Sequence, residues 1–258
     1  MRLTLLGTGT SFGVPVIGCG CAVCTSTDPR DRRGRCAAVV EVGGRTLLID
    51  TPPELRLQLL AAGVTRVDAV LYTHAHADHV AGIDDLRVFS DRTGAALPLY
   101  GPADALEAIR RGHAYIFDDG ITVPRGTSKP RLTLHPLAAG RPATVAGVEV
   151  LPLAFPHGGT EVFGYRIGDV AYVTDAKTVP PEAAERLRGL KVLVLNALRP
   201  SPHPTHLSIP EALEVAAALG AGQTFLTHLT HETGHAALAA ALPGGVAPGH
   251  DGLTLEVG

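Results

Sequence analysis

The most constraining stretch of this chain is His74-Ala75-His76-Ala77-Asp78-His79, which follows directly on the apolar run Ala69–Tyr72. A short buried strand ending in a turn holds successive side chains rigidly and close together, as a site requires. Three imidazoles and a carboxylate in six residues suit zinc, iron or manganese, and the run is too dense to serve packing. One turn cannot fold around two metal ions, so further donors must arrive from elsewhere. His157 after the predicted strand Val148–Ala154, Asp175 after Val170–Thr174 and His228 after Thr224–Thr227 share the same placement just past a strand. That common placement puts all of them at one edge of the sheets.

The rest of the sequence sets the frame. With 258 residues, 45% apolar and 18% charged, the chain reads as globular and long enough to bury a substantial core. Tryptophan is absent and aromatics are 4%, so that core is built from Leu, Val, Ile and Ala. Glycine and proline are scattered as turn punctuation, and neither a composition break nor a repeat appears, so a single domain over 1–258 is expected. The formal charge of -3 offers no overall positive field for a long nucleic acid. Asp28-Pro29-Arg30-Asp31-Arg32-Arg33-Gly34-Arg35 is the one local basic run, and its interleaved aspartates read as a solvated loop. Met1–Gly7 is interrupted too soon for a signal peptide and no apolar stretch reaches spanning length. A cytoplasmic protein without a membrane partner is expected; the oligomeric state stays open, a homodimer included.

Strands are predicted at Leu3–Leu6, Ala37–Val42, Thr46–Ile49, Ala69–Tyr72, Val148–Ala154, Val162–Ile167, Val170–Thr174, Val192–Leu195, Thr224–Thr227 and Leu253–Val257. Thr51-Pro52-Pro53-Glu54 reads as a capping box opening a helix that Gly63 ends, and Ser208-Ile209-Pro210-Glu211 opens a second helix running to about Leu219. Two strand clusters, each with helices, predict a layered α/β fold with sheets inside and helices outside.

Two further features carry chemistry. Cys19-Gly20-Cys21-Ala22-Val23-Cys24 places three thiols where they can share one zinc, and a fourth ligand would close a structural tetrahedron. Cys36, beside a strand, reads as core. His206 lies two residues before the helix cap Ser208, where the positive end of the helix dipole favours an anion. His203 has a weaker claim, and His113, His135 and His250 sit near no motif.

The pattern of His74, His76, Asp78 and His79 followed by His157, Asp175 and His228 resembles the metal-binding motifs of the metallo-β-lactamase superfamily, over nearly the whole chain. The resemblance implies a four-layer αββα sandwich with the site at one edge. It implies His74, His76 and His157 on a first metal, Asp78, His79 and His228 on a second, and Asp175 bridging. It also implies a supporting role for Asp50, hydrogen-bonded to the His-x-His turn. A histidine at 76 and an aspartate at 175 match the hydrolytic branch of glyoxalases, lactonases and phosphodiesterases. Gly7-Thr8-Gly9-Thr10-Ser11 with Gly18-Cys19-x-Cys21-x-x-Cys24 is similar to the phosphoribosyl cyclic phosphodiesterases of phosphonate breakdown. That likeness implies a structural zinc on Cys19, Cys21, Cys24 and His231, with His235 as the rival fourth ligand. It also implies that His206 contacts phosphate and protonates the leaving oxygen.

The expected function is hydrolysis of a small, cyclic phosphate diester, using two divalent ions (zinc or manganese) that lower the pKa of a shared water, with Asp78 and His206 as catalytic residues. Alternatives are a thioesterase or lactonase in the same site, ribonuclease Z-like processing of RNA, and, from a different class, a non-catalytic metal-binding scaffold.

Overall fold

The computed structural model describes residues 1–118 and 120–258. Two seven-stranded sheets lie face to face. The first holds β1 (Arg2–Gly7), β2 (Ala37–Val42), β3 (Arg45–Ile49), β4 (Ala69–Leu71), β5 (Leu97–Gly101) and β6 (Leu132–Pro136). The second holds β7 (Ala143–Val145), β8 (Val148–His157), β9 (Thr160–Ile167), β10 (Val170–Val173), β11 (Val192–Asn196), β12 (Gln223–Thr227) and β13 (Val246–Pro248). The last strand, β14 (Thr254–Glu256), returns to the first sheet and pairs antiparallel with β1. The strand orders are β14-β1-β2-β3-β4-β5-β6 and β13-β12-β11-β10-β9-β8-β7.

The alternation of strand side chains builds the layers. In β3, Leu47 and Ile49 join Leu3, Leu5, Val40 and Leu71 in the space between the sheets, facing Val150, Tyr165, Tyr172, Val194 and Phe225. Leu48, one residue out of phase, points the other way with Leu6, Val39 and Val70. It meets α1 (Leu55–Ala61), α3 (Arg87–Thr93) and α4 (Ala103–Gly112) through Leu55, Leu59, Phe89, Leu106 and Ile109. On the far side Phe155, Val173, Leu193 and Leu195 pack under α6 (Pro181–Arg186), α7 (Ile209–Leu219) and α8 (His235–Ala241). Burial on both faces is why these strands read as continuous apolar runs. The result is the expected αββα sandwich. Among the described residues no helix is long and apolar enough to cross a membrane.

Three local readings need correction. Helix α1 begins at Leu55, and Thr51 does not cap it. The Thr51 hydroxyl is engaged instead with the Tyr72 hydroxyl at 2.8 Å, deep in the fold, so tertiary packing overrode the local capping pattern. By contrast, Ser208 and Glu211 form a complete capping box at the start of α7. Strand β8 extends through Pro156 to His157, so His157 is the last strand residue and not a loop residue beyond it. The 28–35 run is not a solvated loop: Arg33 is 1% exposed. Its guanidinium donates to the carbonyls of Thr230 (2.5 Å) and Thr233 (2.9 Å) and to Asp31 (3.3 Å).

Candidate metal centre

β3 through β6 run parallel, as do β10 through β13, and the functional side chains gather where these strands end. Asp50, Asp175 and His228 each lie within two residues of the end of β3, β10 or β12, and each takes a left-handed backbone, φ 61°, 60° and 59°. That conformation is uncommon for residues with a Cβ and costs of the order of 1 kcal/mol apiece. It turns three chains sharply at one edge and directs their side chains at one another.

The His-rich turn leaves β4 at the same edge, with Asp78 and His79 on a single helical turn, α2 (Ala77–Val80). Asp50 secures it. Its carboxylate accepts from the amide and hydroxyl of Thr73, both at 2.8 Å, and lies 2.7 Å from His79 Nδ1. With Nδ1–H donating to Asp50, the ring is oriented so that Nε2 points into the site, where a cation can replace its proton. His157 is set in the same way: its Nδ1 donates to the Thr205 carbonyl at 3.0 Å, leaving Nε2 free. His74 Nε2 faces His76 Nδ1 at 3.0 Å.

The donor atoms fall into interlocking groups, each within 4.8 Å: His74, His76 and His157; Asp78, His79 and His228; Asp175 with His74 and His79; and His206 with His157 and Asp175. Asp175 sits between them, Oδ1 3.1 Å from His228 Nε2 and Oδ2 3.3 Å from His79 Nε2. Both Nε2 atoms are buried and make no hydrogen bond among the described residues. Burial alone would depress the His79 imidazole, yet the carboxylates of Asp175 and Asp50 outweigh it and hold its pKa well above the ordinary value. The field at this point therefore favours positive charge. Burial, with His79 beside it, pushes His74 well below the usual range, so it stays a neutral donor. Orphaned nitrogens, neutral imidazoles and a field that seeks cations together fit a pair of divalent ions.

His206 stands beside these donors. Its Nδ1 meets the Thr205 hydroxyl at 2.8 Å and its Nε2 meets Asp175 Oδ1 at 3.0 Å. Burial lowers its pKa and the Asp175 hydrogen bond opposes that shift. The loop carrying it is fixed at both ends, Leu198 and Leu207 pairing through backbone and Leu207 N donating to Ala176 O at 2.8 Å. Lys177 braces it further, donating to Glu211 at 2.6 Å and to the His206 carbonyl at 3.4 Å. These groups face a cavity of about 410 Å³ lined by His76, Asp78, His157, Asp175, His206 and His228. Ser11, Thr160, Thr205 and the Gly158-Gly159 turn complete the wall. Of these, Ser11 closes the Gly7–Ser11 motif already noted in the sequence; the others were passed over, although the Gly-Gly pair between two apolar runs is a hairpin signal.

The cysteine loop forms a separate cluster. His231 Nδ1 lies 3.4 Å from each of the sulfurs of Cys19, Cys21 and Cys24. A tetrahedron with Zn–S near 2.3 Å and Zn–N near 2.0 Å has an S···N edge of roughly 3.5 Å, so the cradle fits zinc. The Cys24 amide donates to Cys21 Sγ at 3.4 Å and, with the His231 ring, lowers that thiol to about 6, toward the thiolate a metal takes. His235 is elsewhere: it opens α8, and its amide donates to Asp31 at 2.6 Å. Cys36 is buried, its thiol pushed up to about 12 by desolvation. His203 lies against His206 and Thr205, whereas His113 and His135 sit away from the cluster and His250 packs near His235.

The profile of the Beta-lactamase superfamily domain matches residues 45–229, and the chain belongs to the metallo-β-lactamase superfamily of hydrolases. Within it the likeness is to the PhnP group. The crystal structure of a diphosphatase from the PhnP family superposes with a TM-score of 0.91 at 40% identity, covering 100% of this chain and 98% of that one. A curated relative, the octanoyltransferase of Porphyromonas gingivalis (strain ATCC BAA-308 / W83), is 39% identical over 98% of this chain but only 51% of its own length. The chain thus spans about half of that relative. Ribonuclease Z of Mycobacterium sp. (strain KMS) is 28% identical, over 88% of this chain and 84% of its own.

Proposed function

We propose that the chain hydrolyses a small phosphate diester, cyclic substrates included. In this reading His74, His76 and His157 hold one divalent ion and Asp78, His79 and His228 a second, with Asp175 shared. Zinc or manganese suits this donor set. When bound, such a pair supplies Lewis-acid polarisation of the phosphoryl group and a water of lowered pKa. Cys19, Cys21, Cys24 and His231 hold a further, structural zinc.

The chain's own residues do the rest. Asp50 and the Thr205 carbonyl fix the tautomers of His79 and His157. The glycine turn at 158–159 leaves the cavity open beside them, and the cavity walls hold the diester against the donors. The observation that carries the phosphate reading is His206. It is left over from the two triads that hold ions in this reading, although its donor atom lies near those of His157 and Asp175, and Thr205 fixes it so that Nε2 faces Asp175 and the cavity. It is placed to bind phosphoryl oxygen and to pass a proton from Nε2 to the departing oxygen.

An alkyl or ribosyl leaving oxygen needs that proton, whereas p-nitrophenolate departs without it. His206→Ala should therefore slow an alkyl diester by about 10²–10⁴-fold and an aryl diester far less, with metal content unchanged. Equal slowing of both would make His206 a phosphate-binding group only; no slowing of either would favour thioester or lactone hydrolysis. A second reading, cleavage of a diphosphate linkage, draws support from the diphosphatase that is 40% identical over the full chain. Ribonuclease Z-like action draws on the 28% identical relative, but the formal charge of -3 gives a long RNA little to hold.

A further inference from the structure

A second cavity, of about 310 Å³, adjoins the catalytic one and shares Ser11 and His206 with it. Three features define its chemistry. Phe12 offers an aromatic face that is 71% exposed. It sits on a turn closed by Gly13 N donating to Thr10 O at 2.8 Å, and Gly13 takes φ +64°, which glycine adopts freely. The Arg35 side chain donates to the Ser11 carbonyl at 3.0 Å, so the ring is held on a fixed support. The same cavity is lined by Arg199 and Glu232, 3.8 Å apart. Arg199 spends one donor on the Pro202 carbonyl at 3.2 Å, and its buried Nε has no partner among the described residues.

We propose that this cavity is a nucleobase subsite, and that the group departing from phosphorus is a nucleoside. The inference rests on the phosphodiester reading of the catalytic cavity and names its substrate class. An exposed phenylalanine on a rigid turn is a stacking platform for a flat ring. A donor and an acceptor side by side match the edge of a base, which carries both kinds of group in one plane. A further phosphate fits poorly, because Glu232 offsets the charge of Arg199. Position supplies the direction: His206 forms part of the wall between the cavities, so a base in the second belongs to the oxygen that His206 faces.

The test compares adenylyl-adenosine, a dinucleotide diester, with its counterpart lacking the base on the leaving nucleoside, using the metal-loaded enzyme. The wild type should favour the base-bearing diester by about tenfold or more in kcat/KM. Phe12→Ala should reduce that ratio to near one, and Phe12→Trp should restore it. Phe12 is exposed and contributes nothing to the core, so its truncation leaves the fold intact. No preference in the wild type, or a preference surviving Phe12→Ala, overturns the subsite. If neither diester is hydrolysed, the phosphodiester reading fails, and equilibrium binding of AMP then decides the subsite. Its Kd should weaken at least about tenfold in Phe12→Ala, and an equal Kd in both proteins overturns the proposal.

Discussion

The Asp50 carboxylate is shared between Thr73 and His79, and no donor group of the centre includes it. Its effect passes through the His79 tautomer. Asp50→Asn should leave His79 without a full acceptor at Nδ1 and weaken metal affinity or activity by about 10–100-fold, the range for groups that orient a ligand. Metal titration of the purified variant measures this; an unchanged affinity would mean that His79 holds its ring without help. The donors themselves were legible in the sequence because imidazole, carboxylate and thiol are rare in such density. Thr205 and Lys177 were not. One acts through a carbonyl, which every residue has, and the other through Glu211, remote in sequence. Residue type alone does not announce either role.

Among the elements, the cysteine loop and the segment after β12 are joined twice, once by the Cys19–Cys21–Cys24–His231 cradle and once by Arg33. The two ties can be cut separately. Arg33→Met removes the donors to Thr230 and Thr233 and leaves Asp31 buried without its cation. Breaking such a buried pair costs about 3–5 kcal/mol, so the melting temperature should fall by roughly 10 °C. Cys21→Ser should lower both zinc content and melting temperature while the seven donors of the proposed two-ion centre keep whatever ions they hold. Loss of every metal together would show that the two centres fold as one. Strands buried on both faces, such as β3 and β11, announced themselves as apolar runs. Strands β5, β6, β7 and β13 did not: β5 reads Leu97-Pro98-Leu99-Tyr100-Gly101, β6 is half exposed, and β7 and β13 are three residues each. Proline, exposure and brevity erase the pattern that marks a strand.

Over the whole molecule, Asp251 joins three distant segments: it accepts from the Thr8 hydroxyl at 2.8 Å and from the Gly34 amide at 2.6 Å, just ahead of β14. Burial raises its pKa to about 6 against the partial relief of these hydrogen bonds. The folded state then binds a proton more readily than the unfolded one, so this contribution is complete below about pH 4 and is lost as pH rises through 6. Subtracting the melting temperatures of Asp251→Asn from those of the wild type, pH by pH, should reveal that decline; a flat difference between pH 4 and 7 would remove Asp251 from the account. The centre's donors come from both sheets, His74 through His79 from one and His157, Asp175 and His228 from the other. In polymer terms, ions held there are intrachain cross-links, each closing a loop of the order of a hundred residues, where a clip restricts the unfolded chain strongly. Chelation should then do more than silence chemistry. Amide hydrogen exchange should accelerate at 73–79, 157–160 and 228–231 together, while the opposite edge of the sandwich keeps its protection.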